Sequence, residues 1–171
     1  MITITLQKIR DASPCTDGWK KGLDFKGGKS ADMGAEFPLS DVLESNDLDD
    51  TLWCLRCLPE HDRLWRKYAV WCARQVQHLM TDQRSIDALD VAWRHSDGLA
   101  TDEELAAAWD AAGAAAGTAA GAAAWDAAGT AAGAAAGAAA GDAARDAAWV
   151  AARAAQKTKL LQILAAGEWV E

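Results

Sequence analysis

The feature that most constrains this chain is an internal repeat. Ala106 to Gly121 reads AAAWDAAGAAAGTAAG and Ala122 to Gly137 reads AAAWDAAGTAAGAAAG, and a degenerate third unit holding Asp142, Asp146 and Trp149 follows. A near copy of sixteen residues built from Ala, the best helix former, predicts helix. Within it, Gly113, Gly117 and Gly121, then Gly129, Gly133 and Gly137, stand at every fourth residue in two runs. Each interior Gly costs a helix about 1 kcal/mol, so tertiary contact must offset the row. Small side chains permit that contact, because they let another helix backbone come close.

The spacing also limits the shape. A period of four drifts by about 40° per repeat around a helix of 3.6 residues per turn, so the glycine row leaves any one face quickly. Trp93, Trp109 and Trp125 lie sixteen residues apart. That separation is about 160° of net rotation, so an unbroken rod would point successive tryptophans to nearly opposite sides. A free helix from 101 to 166 would be about 100 Å long and mostly unpacked. The tract is therefore expected to fold back as a helical hairpin. The tryptophans either anchor an interface or plug the gap between two thin helices.

Upstream, the patterning is that of short helices. Ile2, Ile4 and Leu6 alternate like a strand, yet Thr5 before Leu6-Gln7-Lys8-Ile9-Arg10 favours a capped helix. Pro14 opens a second helix through Trp19 and Leu23, which Gly27-Gly28 ends, and residues Lys26 to Phe37 are expected to be exposed and mobile. Ser40 and Asp41 are placed to cap a short helix holding Val42 and Leu43, and a further helix spans Leu48 to Leu58 before Pro59. Residues 60–80 are strongly amphipathic, with Leu64, Trp65, Tyr68, Ala69, Cys72, Val76 and Leu79 on one face. A helix from Asp82 to His95 should bury Ile86, Leu89 and Trp93, and Trp53, Trp65 and Trp71 are also read as core. Thr101 and Glu104 form a capping box at the start of the repeat. The fold class is all-α, with an N-terminal helical domain over 1–100 and the Ala/Gly/Trp helical region over 101–171.

Charge narrows the partners. The chain of 171 residues carries 17 basic and 25 acidic side chains, a net charge of -8. Of these, 19 acids and 13 bases lie up to Glu104 and 6 and 4 beyond it. That balance disfavours direct nucleic-acid or anionic-membrane binding and favours a basic protein partner. No basic region and apolar run of signal length stands at the start, and Asp110, Asp126, Asp142, Arg145 and Asp146 interrupt the Ala-rich tract, so a cytoplasmic chain without a membrane span is expected. The acids Glu44, Asp47, Asp49 and Asp50 could imitate phosphates toward a nucleic-acid-binding enzyme; alternatively Asp49 or Asp50 stabilises the N-terminus of the next helix.

Nothing points to catalysis or a cofactor. Cys54, Cys57, His61 and Cys72 could approach zinc-ligand spacing, but the paired-ligand signature is incomplete, and all four cysteines, Cys15 included, are read as free buried thiols with no metal. His78 and His95 have no nucleophile or carboxylate at a spacing that marks a site. Thr118 and Thr130, which might suggest ice binding, lie about 120° apart around a helix.

The strings LESNDLDDTLWCLRCL from Leu43, RKYAVWCARQVQHLM from Arg66, ALDVAWRHSDGLATDEELAAAW from Ala88 and RAAQKTKLLQIL from Arg153 resemble an Ala/Trp-rich immunity-protein family of bacteria and phages over nearly the whole chain. That family carries Trp and Arg where this chain has Gly. The resemblance implies a non-catalytic inhibitor or immunity factor acting by stoichiometric binding, and a phage context implies counter-defence of the anti-CRISPR kind. The repeat leaves a structural or self-assembling protein, a homo-oligomer, as the alternative.

Replacing Gly117 or Gly133 by Leu tests the packing of the repeat. Helix propensity would add about 0.8 kcal/mol, whereas forcing a large side chain into a close interface costs about 1 to 3 kcal/mol. Each variant is expected to melt below the parent protein; higher melting with unchanged association would place these glycines in solvent.

Overall fold

The computed structural model describes residues 1–75, 77–114 and 138–171. It is mostly helical, with one two-stranded sheet. The strands are β1 (Thr3–Thr5) and β2 (Glu36–Pro38). The helices are α1 (Leu6–Asp11), α2 (Thr16–Phe25), α3 (Ser40–Ser45), α4 (Leu48–Cys54), α5 (Asp62–Arg74), α6 (Gln83–Ser96), α7 (described over 102–114) and α8 (Ala138–Ala166). The contacts divide the chain into two compact units, Met1–Trp65 with Lys157–Glu171, and Arg66–Gln156.

In the first unit both readings of the N-terminus apply, one after the other. Ile2, Ile4 and Leu6 point into the core while Thr3 and Thr5 stay half-exposed, which is the alternation of a strand with one buried face. β1 pairs antiparallel with β2, Ile4 opposite Phe37. Thr5 then ends the strand and caps α1, its hydroxyl accepting from the Lys8 amide at 3.1 Å. The mostly helical structure agrees with the all-α expectation, and this short sheet is a small addition to it; β2 overlaps the end of the segment expected to be exposed, where Phe37 is buried.

Three further details differ from expectation. Ser40 and Asp41 lie in the first turn of α3, and the cap position falls on Leu39, whose side chain has no acceptor; the Leu39 amide donates to the Ile2 carbonyl at 3.0 Å. The helix from Leu48 ends at Cys54 and tightens into a 3-10 turn over Leu55–Cys57, and Pro59 opens another such turn rather than following a loop. Cys15 is exposed, and its sulfur caps α2 by accepting from the Gly18 amide at 3.3 Å.

The end of α8 completes this core. Leu160, Ile163 and Leu164 are among the most buried side chains, and the Ile2 amide donates to the Leu164 carbonyl at 2.8 Å. These three apolar residues, at positions i, i+3 and i+4 of one helix face, are why 157–171 belongs with 1–65 instead of following the boundary expected at residue 100. Gly167 ends the helix at φ +85, and a Cβ there would come within 3.1 Å of the Met1 nitrogen, so both conformation and close approach require glycine.

In the second unit, Tyr68 and Val70 of α5 are buried, whereas Ile86, Leu89 and Trp93 of α6 are only half-buried, against expectation. For Trp93 the reason is its charged surroundings. Trp93 has the Lys67 ammonium and the Arg74 guanidinium each 4.6 Å from its ring, and those cations pair with Asp97 and Asp90, each at 2.5 Å. Asp82 caps α6, Gly98 ends it at φ +75, and Thr101 and Glu104 exchange backbone bonds of 2.8 and 3.2 Å at the start of α7. α7 and α8 are both helical; the expected fold-back of the tract into a hairpin lies outside the described residues. Among the described residues no helix is long and apolar enough to cross a membrane.

Ile163→Ala is expected to cost about 2 to 5 kcal/mol by urea denaturation, as for other fully buried aliphatics. Leu161→Ala, on the 38% exposed face of the same helix, should cost well below that.

Candidate functional site

The acidic cluster is divided by the geometry of the α3–α4 corner. Asp47 is extended and caps α4, its carboxylate accepting from the Asp50 amide at 2.9 Å, while its carbonyl receives the Thr51 hydroxyl at 2.7 Å. Asp49 and Asp50 follow in the first turn, where the helix dipole favours them. Glu44 and Asp49 are exposed. Asp50 turns inward: its Oδ2 accepts from Asn46 Nδ2 at 2.7 Å, and the same amide donates to the Gly18 carbonyl of α2 at 2.9 Å. Ser45 donates to Asn46 Oδ1 at 2.7 Å and completes the chain of bonds.

Helix α2 lies on this polar bed. A Cβ on Gly18 would fall 3.0 Å from Asp50 Oδ2, so glycine there permits the close seat, while one on Gly22 would make an ordinary contact of 3.8 Å with Asn46 Oδ1. No residue of α2 is fully buried. Beneath it is a cavity of about 80 Å³, walled by Trp19, Phe25, Phe37, Val42 and Trp53 with Asp50 among its polar groups. Lys26 pairs with Asp41 at its edge and holds its ammonium 4.1 Å from the centre of the Phe37 ring. Sequence reasoning did not single out Gly18 and Gly22; their four-residue spacing is the signal that marks the repeat, and it was there to be applied.

Two tryptophans of the repeat, Trp109 and Trp149, are exposed. Trp109 is 69% and Trp149 65% exposed, with Arg153 over the Trp149 ring at 5.5 Å. Trp109 also borders an apolar recess of about 330 Å³ in the second unit, lined with Ala73, Ala88, Leu89 and Ala112. At Gly113 an added Cβ would meet nothing within 4 Å among the described residues. Trp125, Gly117, Gly121, Gly129, Gly133 and Gly137 lie outside the described residues. Of the tryptophans read as core, Trp65 is buried, and its indole donates to the Leu58 carbonyl at 3.1 Å; Trp53, Trp71 and Trp93 are half-buried.

Among the described residues no group of three or more His, Cys, Asp and Glu side chains could hold a metal ion. His61 meets Trp65 edge-on at 5.6 Å, and His95 lies 2.8 Å from Asp102, the contact between the end of α6 and the start of α7. Burial pushes the Cys54 thiol up to about 12, with Cys57 and Asp50 adding to the effect against Arg56. Burial likewise raises Cys57 and Cys72, so these three are poor nucleophiles at neutral pH. Comparison of the chain with protein-family models, curated proteins and solved structures returns no match.

The raised thiol gives a pH dependence with a definite sign. Above the ordinary value of 9.0 the unfolded chain loses the Cys54 proton while the folded chain keeps it until about 12, so stability present below 9 falls as pH rises through that window. Urea midpoints from pH 8 to 11 are expected to fall, and Cys54→Ala should reduce the slope; an unchanged slope would show that Cys54 does not titrate this way.

Proposed function

We propose that this protein is a non-catalytic, protein-binding inhibitor of immunity or phage counter-defence type, working in the cytoplasm by stoichiometric occlusion of a basic nuclease, toxin or defence complex. The observation that carries this reading is the exposure of Trp109 and Trp149, at 69% and 65%, on alanine-rich helices. A tryptophan brings about 150–250 Å² of mostly apolar surface, and hot spots of protein interfaces are enriched in it. Low neighbouring side chains leave such a ring accessible to a partner's pocket. The net charge of -8 suits a basic partner, with Glu44 and Asp49 on the surface of the first unit adding to its approach. The inhibitor class comes from the resemblance of the sequence to immunity proteins.

A second reading, self-association of the repeat, draws on the open face at Gly113. The two readings separate by stoichiometry: an inhibitor forms a defined complex with a foreign protein, whereas self-assembly gives oligomers that grow with concentration.

In cells challenged with nuclease toxins or with active CRISPR interference, the protein is expected to protect a target plasmid. Replacing both Trp109 and Trp149 by Ala should weaken the isolated complex by about thirtyfold or more, as loss of an interface hot spot does. Full protection by a correctly folded double variant would remove these residues from the interface.

A further inference from the structure

The pocket beneath α2 carries an inference separate from the exposed tryptophans. We propose that it binds a small organic cation of the alkylammonium class, with the cationic head facing Asp50 and its apolar substituents against Trp19 and Trp53. Three observations converge on that chemistry.

The first is the wall. Four aromatic side chains, Trp19 and Phe25 from α2, Phe37 from β2 and Trp53 from α4, border one cavity. Aromatic faces present negative potential and attract a desolvated cation. The pocket already performs this chemistry on a cation of its own, because the Lys26 ammonium lies 4.1 Å from the Phe37 ring centre and 5.6 Å from that of Phe25.

The second is charge. Of the charged residues lining the cavity, Lys26 is paired with Asp41, while the side-chain partner of Asp50 is the neutral amide of Asn46 at 2.7 Å. Two carboxylates and one ammonium leave one negative charge, so the occupant complements it with one positive charge. An anion would meet two carboxylates, and a neutral hydrocarbon would desolvate Asp50 with nothing in return.

The third is size and access. A cavity of about 80 Å³ has room for several waters, which suits a compact head group and not a nucleotide or a peptide strand. Its cover, α2, has no fully buried residue, and the chain leaves that helix through Gly27 and Gly28 at φ +104 and +64. Cys15 is exposed at the rim, where its thiol can report on occupancy.

The test uses the full-length protein with choline as probe and dimethylbutanol, its neutral carbon isostere, as control at constant ionic strength. Amide NMR should show saturable shifts at Gly18, Gly22 and the Asn46 side chain with choline, and choline should slow labelling of Cys15 by a thiol reagent. Dimethylbutanol is expected to bind about tenfold more weakly or worse, and Asp50→Asn, checked by its melting curve, should weaken choline by about tenfold. Equal binding of alcohol and choline, no effect of a folded Asp50→Asn variant, or no saturable shift would each overturn the proposal. The isostere comparison needs no variant and decides the matter if Asp50→Asn does not fold.

Discussion

The structure depends on what happens at Ile2. Its amide donates to the Leu164 carbonyl at 2.8 Å, and its carbonyl accepts from the Leu39 amide at 3.0 Å, while its side chain is 3% exposed. One residue thus joins the last helix, the start of α3 and the apolar core. The backbone of a buried strand must find partners or lose about 1 to 3 kcal/mol for each unsatisfied group, which makes the clasp obligatory once Ile2 is inside. The core of Leu39, Leu58, Leu160, Ile163 and Leu164 forms around that junction, and α2 with its polar seat is positioned on the outer side of α3 and α4.

Local signals were legible where a single turn of chain carries both partners of an interaction. Thr101 with Glu104, Asp82 before α6, Gly98 after it and Thr5 before α1 all act within four residues, and each is where the capping chemistry places it. Interactions that join distant segments were not legible. The pairing of Thr3–Thr5 with Glu36–Pro38 requires a partner more than thirty residues away; the alternation of Ile2, Ile4 and Leu6 signals the first strand, but nothing in Glu36–Pro38 signals its partner. Trp93 looks like a core residue in a helical pattern, because nothing in a hydrophobicity count shows that Lys67 and Arg74 will both stand over its ring. Cys15 was assigned to the interior by its residue type, but its position at a helix start gives it a backbone to cap.

The candidate surfaces divide in the same way. Asp47, Asp49 and Asp50 are one acidic run in sequence, yet a cap, an exposed carboxylate and an inward-facing one in space. The reason is rotation: successive residues at a helix start are about 100° apart, so adjacent acids cannot share one direction. Gly18 and Gly22, by contrast, are separated in sequence by four residues and lie over the same polar bed, because that spacing returns to the same face.

The clasp between the chain's two extremities also sets an order of events during synthesis. Residues 1–65 contain most of the first unit, but Leu160, Ile163 and Leu164 must be added to close it, and the second unit lies between. At roughly 5 to 20 residues per second, about 5 to 20 s separates the emergence of Trp65 from that of Leu160. For that interval Ile2, Ile4 and Leu39 lack their final cover. A nascent chain in this condition is a natural client for a ribosome-associated chaperone, and the rate at which the alanine-rich codons are read becomes a determinant of how much protein reaches its closed state.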